Sequence, residues 1–353
     1  MRNAVVKSVA LVRGDDRRQN VRRALELIQD DLAPLRSKKN ILIKPNLTAT
    51  RVVHANTHAD CIRGLLDFCA AYLDDFPEKT FTVMEGSGSA YYERCSTHDV
   101  FATFGYRELA REYPNLKLIA LEDCHEFVEI EVRSIAGGER VGLAAIVRDF
   151  DYRISLNLPK THNYAIATLG IKNMMGLLRQ RDKSMIHGLR TPSAPRPPSL
   201  FSRIPTAWIA RMRRRAPWVV NALLRHSVAY LEAVRVIHRN VVSVTRHTWP
   251  DLVVIDAWEG MEGDGPVDGE RVELRAAVAS ADALKADGVG ARLMGFDPGE
   301  IGYLYYLHRE GWGDYSLEGL RGEPVSSVAR QFKRHPTYAV QKLWEDTREG
   351  VRI

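Results

Sequence analysis

Continuous apolar runs alternate with helically spaced apolar positions along most of the chain. Residues 5–12 (VVKSVALV) predict a first strand. Residues 17–32 carry Val21, Ala24, Leu25, Leu27 and Ile28 at helical spacing. Residues 39–47 (KNILIKPNL) read as an uninterrupted apolar strand that stops near Pro45, since proline has no N–H for a ladder. Thr57 is placed to cap a helix with Cys61, Leu65, Leu66, Phe68, Cys69 and Leu73 on its apolar side. Strands follow at 80–84 and 116–121, with helices at 97–104 and 106–113 between them. Runs that are continuous rather than alternating imply burial on both faces, as in a parallel sheet. The β-α-β-α-β order therefore predicts a doubly wound, mostly parallel α/β fold. Two lobes are expected, 1–150 and 151–353, with a cleft between them.

Later segments extend the pattern. Residues 127–132 alternate and pair with 141–147 as a half-exposed hairpin. A buried strand at 152–158 delivers Pro159, Lys160, Thr161 and His162. A helix is expected at 227–247, and a strand at 251–256 leads into the acidic, glycine-rich loop 259–266. A further strand at 272–280 precedes a helix at 282–294 capped by Asp282. In doubly wound sheets ligands bind beyond the carboxyl ends of strands. That rule gathers Lys44, Asn46, Glu85, Ser87, Lys160 and His162.

Composition narrows the function classes. The first residues lack the apolar stretch and cleavage site of a signal peptide, and no apolar run is long enough to span a bilayer. The four cysteines are scattered without a CxxC pair, so neither a disulfide framework nor an iron–sulfur cluster is expected. A reducing, cytoplasmic setting fits. The net charge of +6 is local. Between Lys183 and Leu231 there are nine cationic residues and no Asp or Glu, so removing them leaves the rest at −3. Nucleic-acid binding is therefore not expected, and no stacking motif supports it. Residues 189–225 read as a Pro- and Arg-rich insertion with interleaved tryptophans. Such a segment suits contact with an anionic membrane surface or a protein partner.

The candidate chemistry lies at strand ends. Lys44, Lys160 and Lys172 form an expected anion pocket, oriented by Asn46, Asn173 and Ser87; strand-end lysines bind carboxylate or phosphate as point charges. His162 and His187 bracket the stretch 157–187 and are candidates for proton transfer, so Lys160, His162, Lys172 and His187 are the expected catalytic set. Glu85, Asp256, Glu262 and Asp264 suit a divalent metal ion, because carboxylates amid glycines favour hard cations.

Seven stretches in order resemble the DUF362 family: IKPN (43–46), EGSG (85–88), FGY (104–106), NLPKTH (157–162), GIKNMMG (170–176), DAWEGMEGDGP (256–266) and ADGVGARLMGFDP (286–298). The resemblance covers roughly residues 40–300. Many members of that family append a ferredoxin-like CxxCxxC module, which this chain lacks, so the resemblance implies no electron-transfer role. Two functions stand open. One is an enzyme acting on a small anionic metabolite by redox or isomerisation chemistry, with a divalent ion as its cofactor. The other is a non-catalytic protein that docks through 189–225.

Overall fold

The computed structural model describes residues 6–93, 95–134, 137–188, 212 and 215–348. Fourteen strands appear among them: β1 (Val9–Arg13), β2 (Asn40–Lys44), β3 (Thr80–Glu85), β4 (Leu116–Ala120), β5 (Phe127–Ser134), β6 (Gly137–Ala144), β7 (Tyr152–Asn157), β8 (Lys160–His162), β9 (Ile166–Thr168), β10 (Leu252–Ile255), β11 (Glu259–Glu262), β12 (Glu270–Glu273), β13 (Ala276–Ser280) and β14 (Leu320–Gly322). Eight form the main sheet, in the order β14-β1-β13-β10-β7-β2-β3-β4. The five strands from β10 to β4 run parallel, while β13 is antiparallel to both its neighbours.

The continuous apolar runs are explained by two cores. Leu42 packs into one and its neighbours Ile41 and Ile43 into the other. Val253 and Ile255 likewise face one core, and Leu252 and Val254 the opposite one. Helices Arg17–Leu27 and Ala59–Tyr72 cover one face. Helices Val228–Thr248, Ala283–Leu293 and Gly302–Arg309 cover the other. The fold is thus a doubly wound α/β sheet, as the strand order predicts.

The boundary expected near residue 150 does not divide the sheet. β2 pairs directly with β7 across it, from Ile41 opposite Tyr152 to Lys44 opposite Ser155. The expected strand 272–280 is two strands in two sheets. Arg275, with φ +55°, turns the chain between β12 and β13. Thr57 does not cap the following helix; His58 does, accepting from the Asp60 N–H. Of the expected insertion, 189–211, 213 and 214 lie outside the described residues, and its last part forms the helix Pro217–Leu224.

Two smaller sheets complete the architecture. β5 and β6 form the expected hairpin. β8, β9, β11 and β12 form a four-stranded sheet above the carboxyl ends of β7 and β10. After β2 the chain runs outward to β3 and β4, whereas β7 and β10 lie on the other side. The strand order therefore reverses between β2 and β7, the position at which such sheets open a crevice.

Candidate functional site

A cavity of about 410 Å³ sits at this reversal. Its lining includes Lys44, Glu85, Lys160, His162, Lys172 and Lys183. Four ammonium groups thus share one cavity with a single carboxylate.

The floor is a buried network that fixes the strand ends. Lys44 Nζ, at the end of β2, donates to Glu85 Oε2 at the end of β3 (2.7 Å) and to the Pro45 carbonyl (2.6 Å). Glu85 also accepts from the Leu47 and Gly86 N–H groups. Burial outweighs this pairing and draws the Lys44 pKa below its ordinary value. Gly176 lies against the pair so closely that a Cβ there would come within 2.4 Å of Lys44 Nζ. Asn173 sutures β2 to β7. Its amide donates to the Lys44 carbonyl (2.8 Å) and Ser155 Oγ (3.1 Å), and its oxygen accepts from Asn46 (3.0 Å). Thr57, missed as a site residue, accepts from the Asn46 N–H and donates to the Leu156 carbonyl. Asn46 and Asn173 are therefore held by the protein more than they are free to orient a ligand.

The lysines differ in their partners. Lys160 Nζ donates to Asn46 Oδ1 (2.7 Å), Thr48 Oγ1 (3.3 Å) and the Ala55 carbonyl (3.0 Å). Burial, then repulsion by Lys172, takes its pKa down to about 7. Lys183 donates to the Gly86 carbonyl, and burial lowers it to about 8. Lys172 has no hydrogen-bond or ion-pair partner among the described residues; burial alone lowers it to about 7. It rides on the short helix Gly170–Asn173. The buried Asp287 carboxylate accepts the Gly170 N–H (2.7 Å) and Ile171 N–H (2.9 Å) at the start of that helix. Burial raises Asp287 to about 7 against those two bonds.

His162 Nδ1 accepts from the Tyr164 (3.1 Å) and Ala165 (3.2 Å) N–H groups, which leaves Nε2 to carry the proton. Burial and the nearby Lys172 hold its pKa well below the usual histidine value. The His187 ring stacks on it with centroids 5.6 Å apart, and burial lowers His187 to about 3. Both imidazoles are therefore neutral. His162 is suited to donate a hydrogen bond to a developing oxyanion rather than to take up a proton. Tyr164, Met175 and Ile186 add an apolar wall.

The remaining expected residues fall elsewhere. Ser87 donates away from the cavity, to the Thr48 carbonyl (3.1 Å), although its neighbours Gly86 and Gly88 line it. The four expected metal-binding carboxylates do not converge. Glu85 faces Lys44, Asp256 faces Arg17 (3.3 Å), Glu262 faces Lys333 (3.4 Å) and Asp264 faces His335 (3.1 Å). Among the described residues no three His, Cys, Asp or Glu side chains gather as a metal-binding group. Asp282 caps the helix Ala283–Leu293. Lys183 went unassigned because only the fold brings it under Gly86.

Comparison with known proteins adds the family and little else. No curated protein matches the chain. Among solved structures, the lactate racemase apoprotein from Thermoanaerobacterium thermosaccharolyticum is similar at 14% identity and a TM-score of 0.46. The similarity covers 81% of this chain but 56% of that one, so the chain spans little more than half the length of that protein. The profile described as "Domain of unknown function (DUF362)" matches residues 41–292, and the chain belongs to that family.

Proposed function

We propose that the cavity is an active site for a small anionic metabolite, a carboxylate or a phosphate, and that its chemistry is a redox or isomerisation step at the carbon next to the anion. The observation that supports this is the charge balance. Among the described residues, of the four cavity lysines Lys44 alone has a carboxylate partner, so Lys160, Lys172 and Lys183 add positive potential to a cavity of metabolite size. An anion there would raise the pKa of the lysine that holds it and repay part of that group's burial cost. His162 would donate through Nε2 to the substrate oxygen, and Lys172, near neutrality, would take or return a proton. The expected divalent ion has no gathered set of carboxylates or histidines to hold it among the described residues.

Calorimetry with oxalate tests the proposal. The double variant K160A/H162A should bind oxalate at least about tenfold more weakly, roughly 1.4 kcal/mol, while keeping its circular-dichroism spectrum. Unchanged binding in a folded variant would remove the site.

A second reading has one observation behind it. Trp218, Leu223 and Val228 are 74%, 58% and 74% exposed at the end of the acid-free segment. Exposed apolar side chains that follow an arginine-rich stretch in the sequence suit an anionic lipid surface.

A further inference from the structure

Each ammonium in the cavity except one is engaged by the protein: Lys44 by Glu85, Lys160 by Asn46, Thr48 and Ala55, and Lys183 by Gly86. Lys172 alone has no partner among the described residues. It is nevertheless held firmly, because Asp287 anchors the start of its helix and Asn173 anchors the end. The cavity it lines also has an apolar wall of Met175 and Ile186, and burial disfavours the charged form of Lys172. An unpartnered amine that is half-buried in a lysine-rich cavity, on a helix anchored at both ends, has the setting of a nucleophile.

From this geometry we infer that Lys172 forms a covalent iminium with the carbonyl carbon of a 2-oxo acid, whose carboxylate is held by Lys183; the inference rests on the anion-binding role proposed above. The neutral amine of Lys172 adds to the carbonyl carbon, forming the C–N bond. One amine proton passes to the oxygen, and His162 Nε2–H stabilises the charge that develops there. A proton from the Lys183 ammonium lets that oxygen leave as water, breaking the C–O bond and giving the iminium. The iminium is an electron sink, so a proton on the adjacent carbon can pass to the now neutral Lys183 amine and return from it. Hydrolysis then restores the carbonyl and the amine. No oxidant is consumed. Lys183 suits its part because a single carbonyl partner leaves its ammonium with N–H donors to spare.

Reductive trapping tests this. The full-length protein is incubated at neutral pH with pyruvate and sodium borohydride, then digested and mapped by mass spectrometry. The expected result is a reduced pyruvate adduct at Lys172, reduced at least tenfold when excess oxalate competes and absent at that position in K172R. Adducts spread over surface lysines with none at Lys172, in protein that still binds oxalate, would overturn the inference and leave the anion site standing. Loss of oxalate binding by wild-type protein would overturn the site itself. K183M separates the two roles further. It should lower trapping at Lys172 with pyruvate at least tenfold more than with a neutral aldehyde, propanal, because propanal loses only the proton donor whereas pyruvate also loses its carboxylate contact. Equal pyruvate trapping in K183M would remove Lys183 from its assigned role.

Discussion

The lysines are the residues on which the site turns, and Lys172 is the one whose shift has burial as its single cause. Its pKa is about 7 in the folded chain against an ordinary 10.5. Across that window the unfolded chain binds more protons, so the contribution of Lys172 makes stability rise with pH between about 7 and 10.5. Below 7 the group is charged in both states and its full burial cost is present. K172M removes that cost. Its melting temperature should therefore exceed the wild type most at pH 6, and the margin should shrink towards pH 10. A margin that does not change with pH would mean that the ammonium is solvated. Lys160, His162 and Lys172 were legible in the sequence because each follows an apolar run that ends in polar residues. The strand-end rule places such residues without coordinates. Ser87 and Lys183 were not legible, for a physical reason. The direction of a turn side chain depends on which carbonyl it meets, here that of Thr48, and Lys183 belongs to a 3-10 helix (Gln180–His187) with no strong period to read.

At the scale of elements, the short helix Gly170–Asn173 carries Lys172. Four residues cannot be helical alone, because nucleation is unfavourable and the first N–H groups lack partners. Asp287, from the distant helix Ala283–Leu293, supplies two of those partners. Gly170 permits the approach, since a Cβ there would meet Val253 at 2.3 Å and Asp287 Oδ1 at 2.9 Å. In D287A two buried N–H groups lose their acceptor, at about 1–3 kcal/mol each. The variant should melt lower in thermal denaturation and also lose oxalate affinity, because Lys172 loses its fixed position. D287N restores an acceptor of the same shape and should recover part of both. A stable D287A with full affinity would show that the helix is held by packing alone. The sequence signalled this pairing only as two motifs, GIKN and ADGVG. It gave no sign that one caps the other, because that contact spans more than a hundred residues. The acidic loop is the converse case. Asp256, Glu262 and Asp264 lie close in sequence, yet β11 is paired on both sides and sends them to Arg17, Lys333 and His335 in different directions.

At the scale of the whole molecule, the reversal of strand order between β2 and β7 concentrates loops on one side of the sheet, and the small sheet of β8, β9, β11 and β12 roofs them. The cavity is then enclosed by segments far apart in the chain. The helix Pro217–Leu224 is not part of the cavity lining. If its exposed Trp218 and Leu223 meet anionic lipid, apolar burial and arginine attraction act together, and added salt should screen the second but not the first. W218S/L223S should therefore sediment less with phosphatidylserine-containing vesicles than the wild type at every salt concentration. The wild type should lose its preference for anionic over phosphatidylcholine vesicles as salt rises. Oxalate binding should be the same in both proteins, since neither substitution touches a cavity residue. Equal sedimentation would leave the cavity as the sole functional surface proposed for this chain, and a fall in oxalate affinity would mean that the helix and the cavity are coupled after all.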